Sequence, residues 1–209
     1  MQFPELFSIM QAFNQPYIRD VKKAVRKQFE GFTPHRPLQP GQSVAVAVAS
    51  RGTHDLVQLV EATVECLKKR GLESFIVPAM GSHGGGTGEG QARVLRDLGI
   101  SMETIGVPVV SSMKVESVGV LESGAEIFFS SDALSADHIV VINRVKPHTA
   151  FRSSVESGLC KILAVGCGKQ KGAVTMHRYG LGDSSVPAAN FIIAKTPVVC
   201  GLVVTETAT

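Results

Sequence analysis

A run of six small apolar residues, VAVAVA at positions 44–49, constrains the fold more than any other feature of the chain. A strand with one face in water alternates apolar and polar residues, whereas this run has no polar position and predicts a strand covered on both faces. Strands covered in this way are typical of parallel sheets flanked by helices. Strand-like runs at residues 74–79, 139–145 and 198–205 predict three more members of the sheet.

Apolar residues at helical spacing predict helices between these strands. The predicted helices cover about 17–30, 54–70, 88–98, 171–179 and 187–194, and another carries Val155, Leu159, Ile162 and Leu163 on its inner face. Asn14 is the predicted cap of the first helix. Short β-rich segments at 107–110, 114–120 and 126–130 predict a small antiparallel edge. The fold class is therefore α/β: a doubly wound, mostly parallel sheet with helices on both faces.

The distribution of proline and glycine divides the chain into two predicted parts. Residues 1–41 form an N-terminal helical arm and a linker that is rich in proline and glycine, and residues 42–209 form the catalytic α/β domain. The chain stops directly after a predicted strand, where a parallel sheet normally continues into a crossover. We therefore expect these 209 residues to be the N-terminal part of a longer, two-domain protein.

Composition excludes several classes of protein. No apolar run reaches 18 residues and the N-terminus lacks a signal peptide, which argues against a membrane protein and favours the cytoplasm. A net charge of +3 with two Tyr and no Trp argues against nucleic-acid binding. The four cysteines form no C-x-x-C pair, so we expect reduced packing residues rather than a zinc site.

Four polar clusters follow the apolar runs, at residues 50–54, 81–88, 146–149 and 161–177. Ligands of open α/β sheets bind beyond the carboxyl ends of the strands, so the clusters predict one pocket. His83 and His148 are the candidate acid/base groups, because imidazole exchanges a proton near neutral pH. Gly84 and Gly85 precede a helix N-terminus and predict an anion site, with a flexible turn as the alternative.

The remaining candidates are cationic or metal-binding. Lys161 lies among apolar residues, where an ammonium tends to lose its proton, unless its side chain reaches solvent. Gly166 and Gly168 allow the chain to turn back, so that His177 can face the same ligand and bind a metal. Arg51 can hold a carboxylate through two hydrogen bonds, or it is a solvated residue at a helix start.

In this order, the residues resemble the nickel-pincer lactate racemase family over about 44–177. The resemblance depends on Arg51, on residues 81–83 and 145–148, and on Lys161 followed sixteen residues later by His177. It implies a nickel-pincer nucleotide (nickel pyridinium-3,5-bisthiocarboxylic acid mononucleotide) attached covalently to a lysine.

The resemblance also implies a role for each residue. Lys161 would be the tether, with Lys169 or Lys171 as alternatives, and His177 would be the nickel ligand. His83 and His148 would be the two acid/base histidines, and Arg51 would hold the substrate carboxylate. The four candidate glycines would border the cofactor: Gly84, Gly85, Gly166 and Gly168.

The implied activity is racemisation or epimerisation of a lactate-like 2-hydroxy acid through a 2-keto acid, by reversible hydride transfer. The implied partners are the small acid, the cofactor-biosynthesis enzymes and a second, C-terminal domain. Two other functions stay open. One is a non-catalytic binding domain for a phosphorylated or carboxylated metabolite, and the other is a nucleotide-dependent transferase that uses Lys169 and Lys171 as phosphate clamps.

Overall fold

The computed structural model describes residues 7–10, 17–50, 52–148 and 151–205. Four parallel strands form the main sheet in the order β2-β1-β5-β6, and two further strands form an antiparallel hairpin. The strands are β1 (Ser43–Val48), β2 (Glu73–Pro78), β3 (Val115–Val120), β4 (Glu126–Ser130), β5 (His138–Val145) and β6 (Val198–Thr205). This architecture confirms the predicted α/β fold.

Eight α-helices connect and cover the strands within the described ranges. They are α1 (Val21–Glu30), α2 (Leu56–Lys69), α3 (Gly88–Asp97), α4 (Met102–Ile105), α5 (Ser131–Leu134), α6 (Leu159–Lys161), α7 (Lys169–Arg178) and α8 (Leu181–Lys195). None of them is long and apolar enough to cross a membrane.

The VAVAVA run separates two cores, because alternate residues of a strand face opposite sides of the sheet. Its valines pack with α1, α2 and Leu95 of α3. Its alanines pack with the β3–β4 hairpin, α7 and α8. The run is buried on both faces, as its lack of polar positions predicts.

The first helix is shorter than predicted, since α1 begins after Asp20, whose carboxylate accepts the N–H of Lys23. The predicted cap Asn14 lies outside the described residues. Val25 and Phe29 of α1 are buried against the core, so this part of residues 1–41 is packed on the α/β domain.

Two predicted elements differ from the structure. Residues 107–110 are not a strand, and Val109 makes only an isolated bridge to Ile76 of β2. Val155 is not helical, because Gly158 has a left-handed φ of +76° and α6 starts only after it. The chain then passes from α6 directly into one π-helical turn, Ile162–Gly166, a form that is rare and often found at functional sites.

Candidate active site

A cavity of about 250 Å³ lies beyond the carboxyl ends of β1, β2 and β5, and we call it the cleft. His83 reaches it from the segment after β2, His148 from the segment after β5, and Lys161 from α6. The structure therefore brings together four of the predicted site residues: His83, His148, Lys161 and Gly166. Their chemical roles stay predictions.

Two of these side chains, Lys161 and His148, are in direct contact. Lys161 Nζ lies 2.6 Å from Nε2 of His148. Burial lowers the pKa of both groups; in addition, the charges of Lys161 and Lys146 lower that of His148, and the charge of Lys146 lowers that of Lys161. A pKa below the usual histidine value leaves His148 neutral at neutral pH, so its Nε2 can accept a hydrogen bond from Nζ of Lys161.

Several contacts hold His148 in this position. Its backbone N–H donates to Oε2 of Glu156 at 2.7 Å, and its ring packs on Phe151 with 4.3 Å between the ring centroids. Glu156 also accepts the N–H of Ser153. The two N–H groups and the charge of Arg152 lower the pKa of Glu156, which therefore stays ionised. The irregular segment around Glu156 is thus a support for the histidine.

Gly166 lies at the wall of the cleft and is required there for close packing. A Cβ on it would come 2.6 Å from the carbonyl oxygen of Ala79, which no side chain tolerates. Its carbonyl accepts the N–H of Gly81 at 3.1 Å, which joins the π-helical turn to the segment that carries His83. Gly168 does not line the cleft; a Cβ there would lie 2.8 Å from Cα of Gly172.

The glycine loop after His83 is folded on itself. A Cβ on Gly84 would lie 2.5 Å from the carbonyl carbon of Gly90, whereas Gly85 has open space around it. The N–H of Gly86 donates to His83 and that of Thr87 donates to Gly84. Gly84 therefore serves the packing of the loop, and the N–H groups of Gly86 and Thr87 are bonded within it.

Lys169 is the residue whose role the sequence did not reveal. Its side chain is fully buried, and Nζ donates to the carbonyl of Pro78 at 2.6 Å and to Oε1 of Gln91 at 3.0 Å. Gln91 Nε2 in turn donates to the carbonyl of Gly81 at 2.7 Å. Burial lowers the pKa of Lys169 to about 8. This chain of hydrogen bonds fixes the start of the His83 segment.

Lys171, the other alternative tether, also lies outside the cleft. Lys171 Nζ sits 4.1 Å from the centroid of the Phe128 ring, in a cation–π contact. Lys169 and Lys171 do not line the cleft, whereas Lys161 does. Among the three candidate lysines, Lys161 is therefore the one in place to contact a ligand there.

His177 is exposed on α7 and does not line the cleft. Its Nδ1 lies 2.6 Å from the carbonyl of Ala173, so Nδ1 carries the hydrogen and the lone pair of Nε2 faces away from it. Within the described ranges no three His, Cys, Asp or Glu residues are grouped to hold a metal.

The predicted carboxylate-binding residue Arg51 lies outside the described residues. Arg144 of β5 is a cationic residue that does line the cleft. The sequence pattern of the strand did not indicate a role for it. Its guanidinium lies against Gly52, where a Cβ would come 2.5 Å from Nη2. Gly52 has a φ of +94°, so both its backbone and its missing side chain make room for Arg144.

Comparison with known proteins corrects the resemblance. Residues 48–208 match the family described as a domain of unknown function, DUF362. No curated protein matches the sequence. The resemblance to nickel-pincer lactate racemases is therefore wrong. The motifs that carried it, a glycine loop and basic strand ends, are features that many anion sites of parallel sheets share.

Proposed function

The chain belongs to the DUF362 family, and we propose from the geometry of its cleft that it is an enzyme that transfers protons at the hydroxyl group of a small 2-hydroxy acid. The observation that carries the proposal is the 2.6 Å contact between Lys161 Nζ and His148 Nε2 in a cavity that His83 also lines. Racemisation or epimerisation is the reaction that two separate acid/base histidines suit best.

Substrate binding follows from the charge of the cleft. Arg144, Lys146 and Lys161 line it, so a carboxylate finds cationic donors from β5, from the segment after β5 and from α6. Charge-assisted hydrogen bonds of this kind are roughly twice as strong as neutral ones. The carboxylate of the substrate thereby orients its hydroxyl group toward the histidines.

Proton transfer follows from the Lys161–His148 pair. A substrate carboxylate is a stronger acceptor for the Lys161 ammonium than a neutral imidazole is. When the ammonium turns to the carboxylate, the lone pair of His148 Nε2 becomes available for the hydroxyl proton. His83 lines the same cavity and can exchange a proton with the hydroxyl group of the opposite enantiomer.

Formation of the 2-keto acid also releases a hydride from C2, and a hydride-accepting cofactor must take it. The nickel-pincer nucleotide stays a prediction for that role, which it would fill by accepting and returning the hydride. Of the described residues, Lys161 is positioned to hold such a group in the cleft, and His177, the predicted metal ligand, does not line it.

A non-catalytic domain that binds a carboxylated metabolite is the second candidate. The cationic lining of the cleft favours it as much as the enzyme, because both need the same carboxylate site. The two differ in whether the acid is converted.

Location and partners stay predictions. The free thiols of Cys66, Cys160, Cys167 and Cys200 support a reducing compartment such as the cytoplasm. A C-terminal domain and cofactor-building enzymes would be required only by the cofactor-dependent reaction.

The test uses pure enantiomers of several 2-hydroxy acids, deuterated at C2, and follows their interconversion by chiral chromatography. We expect conversion with deuterium retained, and a loss of about 100-fold or more in His148→Asn and Lys161→Met. His35→Asn, at an exposed position, is the matched control and should behave as wild type. Binding without conversion would favour the binding domain, and the absence of both would contradict the proposal.

A further inference from the structure

We infer that Gln91 is a positioning residue for His83, because its amide holds the segment that carries this histidine at the cleft. The inference deepens the proposed function and rests on it, since it concerns where His83 lies when it exchanges a proton with the substrate. Gln91 itself does not line the cleft, so it acts on the reaction only through His83.

Gln91 is a fully buried polar side chain on α3. Its Nε2 donates to the carbonyl of Gly81 at 2.7 Å and, more weakly, to that of His83 at 3.4 Å. Its Oε1 accepts from Nζ of Lys169 at 3.0 Å. A buried amide is costly unless its polar atoms are paired, so it is these hydrogen bonds that suit a glutamine to this position.

The partners of Gln91 also fix the direction of its amide. Below its pKa of about 8, Lys169 carries an ammonium, which only donates, so the amide oxygen faces it. The carbonyls of Gly81 and His83 only accept, so the amide nitrogen faces them. A flipped amide would lose hydrogen bonds at both ends. The side chain therefore holds one orientation and keeps the two carbonyls at a fixed distance from α3.

The backbone around Gln91 is shaped for these contacts. A Cβ on Gly84 would lie 2.6 Å from the backbone nitrogen of Gln91, so the loop after His83 packs directly on α3. Lys169, at the start of α7, has a left-handed φ of +55°, which is uncommon for a residue with a side chain. Strain of this kind is concentrated at functional sites, where the surrounding contacts hold it in place.

Loss of the Gln91 amide would release the His83 segment on the α3 side only. The bond from the N–H of Gly81 to the carbonyl of Gly166 would stay. The imidazole would then lie away from the hydroxyl group of the substrate for part of the time, and a misplacement of about 1 Å can cost about 100-fold in rate. The substrate carboxylate depends on Lys146 and Lys161, which lie on other segments, so its binding should change little.

The test compares Gln91→Glu and Gln91→Met in the full chain. Gln91→Glu keeps the shape and can still accept from Lys169, but its carboxylate cannot donate to the two carbonyls. Gln91→Met removes both polar ends without burying a new charge. With the 2-hydroxy acid that the wild type interconverts fastest, we expect kcat to fall about tenfold or more in both variants, and KM to stay within about threefold. Gln28→Glu, the same change at an exposed position on α1, is the matched control.

NMR of histidine-labelled protein measures the surroundings of His83 without turnover. The ring signal of His83, assigned by its loss in His83→Asn, should shift in both Gln91 variants, whereas that of the exposed His35 should not. Circular dichroism establishes that each variant is folded. Gln91→Met keeps the experiment decisive if the buried carboxylate of Gln91→Glu prevents folding.

The results separate the inference from the proposed function. An unmoved His83 signal, or an unchanged kcat, in variants of a wild type that converts the acid would overturn the inference and leave the proposed function standing. A rise in KM alone would also overturn it, because Gln91 would then act on binding. If the wild type converts no acid, the proposed function is wrong, and the His83 signal by itself decides whether Gln91 positions this residue.

Discussion

Replacing Lys169 by methionine tests the hydrogen-bond chain behind the His83 segment. The change keeps most of the side-chain volume and removes the amine, which is fully buried and donates to Pro78 and Gln91. Folding lowers the pKa of the amine from 10.5 to about 8. The pKa falls by about 2.5, which at roughly 1.4 kcal/mol for each pKa unit makes burial of the charged form cost about 3 kcal/mol relative to the neutral amine.

The expected effect of Lys169→Met depends on pH. Below about pH 8 the amine is charged in both the folded and the unfolded state. The variant then leaves two hydrogen-bond acceptors unpaired, at a cost of about 1–3 kcal/mol each, but it also avoids the cost of burying the charge, and the two effects offset each other. Between pH 8 and 10.5 the unfolded chain binds the extra proton, so the stability of the wild type rises relative to the variant. The free-energy difference between the two proteins should therefore grow by about 3 kcal/mol over that range.

Urea unfolding of wild type and Lys169→Met at several pH values from 7 to 10.5 measures this difference. Lys195→Met, at an exposed position on α8, is the matched control, and its curve should run parallel to that of the wild type. Titration of the other lysines cancels in the comparison. A difference between wild type and Lys169→Met that stays constant across the range would refute the reasoning, because it would mean that Lys169 titrates alike in both states.

Three further predictions concern the cleft. Gly166→Ala brings a Cβ to within 2.6 Å of the Ala79 carbonyl oxygen, so thermal unfolding should show that the free energy of unfolding falls by about 2–4 kcal/mol. Gly31→Ala, which has open space around it, is the control and should lower the free energy of unfolding by less than about 1 kcal/mol. Lys161→Met removes a charge that lowers the pKa of His148, so an NMR titration of that imidazole should give a higher value; an unchanged or lower one would contradict the pairing. Turnover needs neutral His148 and charged Lys161, so we expect it to fall at acid pH below the usual histidine value of about 6.5, and at alkaline pH before the usual lysine value of about 10.4. Limbs of the pH–rate profile at or above those two values would exclude the pair as the titrating groups.

The resemblance failed for a reason that lies in the residues themselves. A histidine in a glycine loop after β2 and a basic segment after β5 are what an anion site at the carboxyl edge of any parallel sheet requires. Such motifs occur in the same order in any sheet with the same strand order, so their order is weak evidence for membership of one particular family. Of the residues that carried the resemblance, Arg51 lies outside the described part of the chain and His177 does not line the cleft.

The sequence alone determined the parallel sheet, because a strand that is buried on both faces has no polar positions, and the VAVAVA run shows this pattern by itself. It also indicated that His83, His148 and Lys161 would meet, since strand ends of a parallel sheet share one edge. Only the tertiary structure decided the roles of Lys169 and Arg144. Lys169 is buried because acceptors 91 and 78 residues away in the chain surround its amine, and Arg144 lies at the cleft because Gly52 has no side chain. Contacts between residues so far apart depend on the packing of whole elements, which no local pattern of residues encodes.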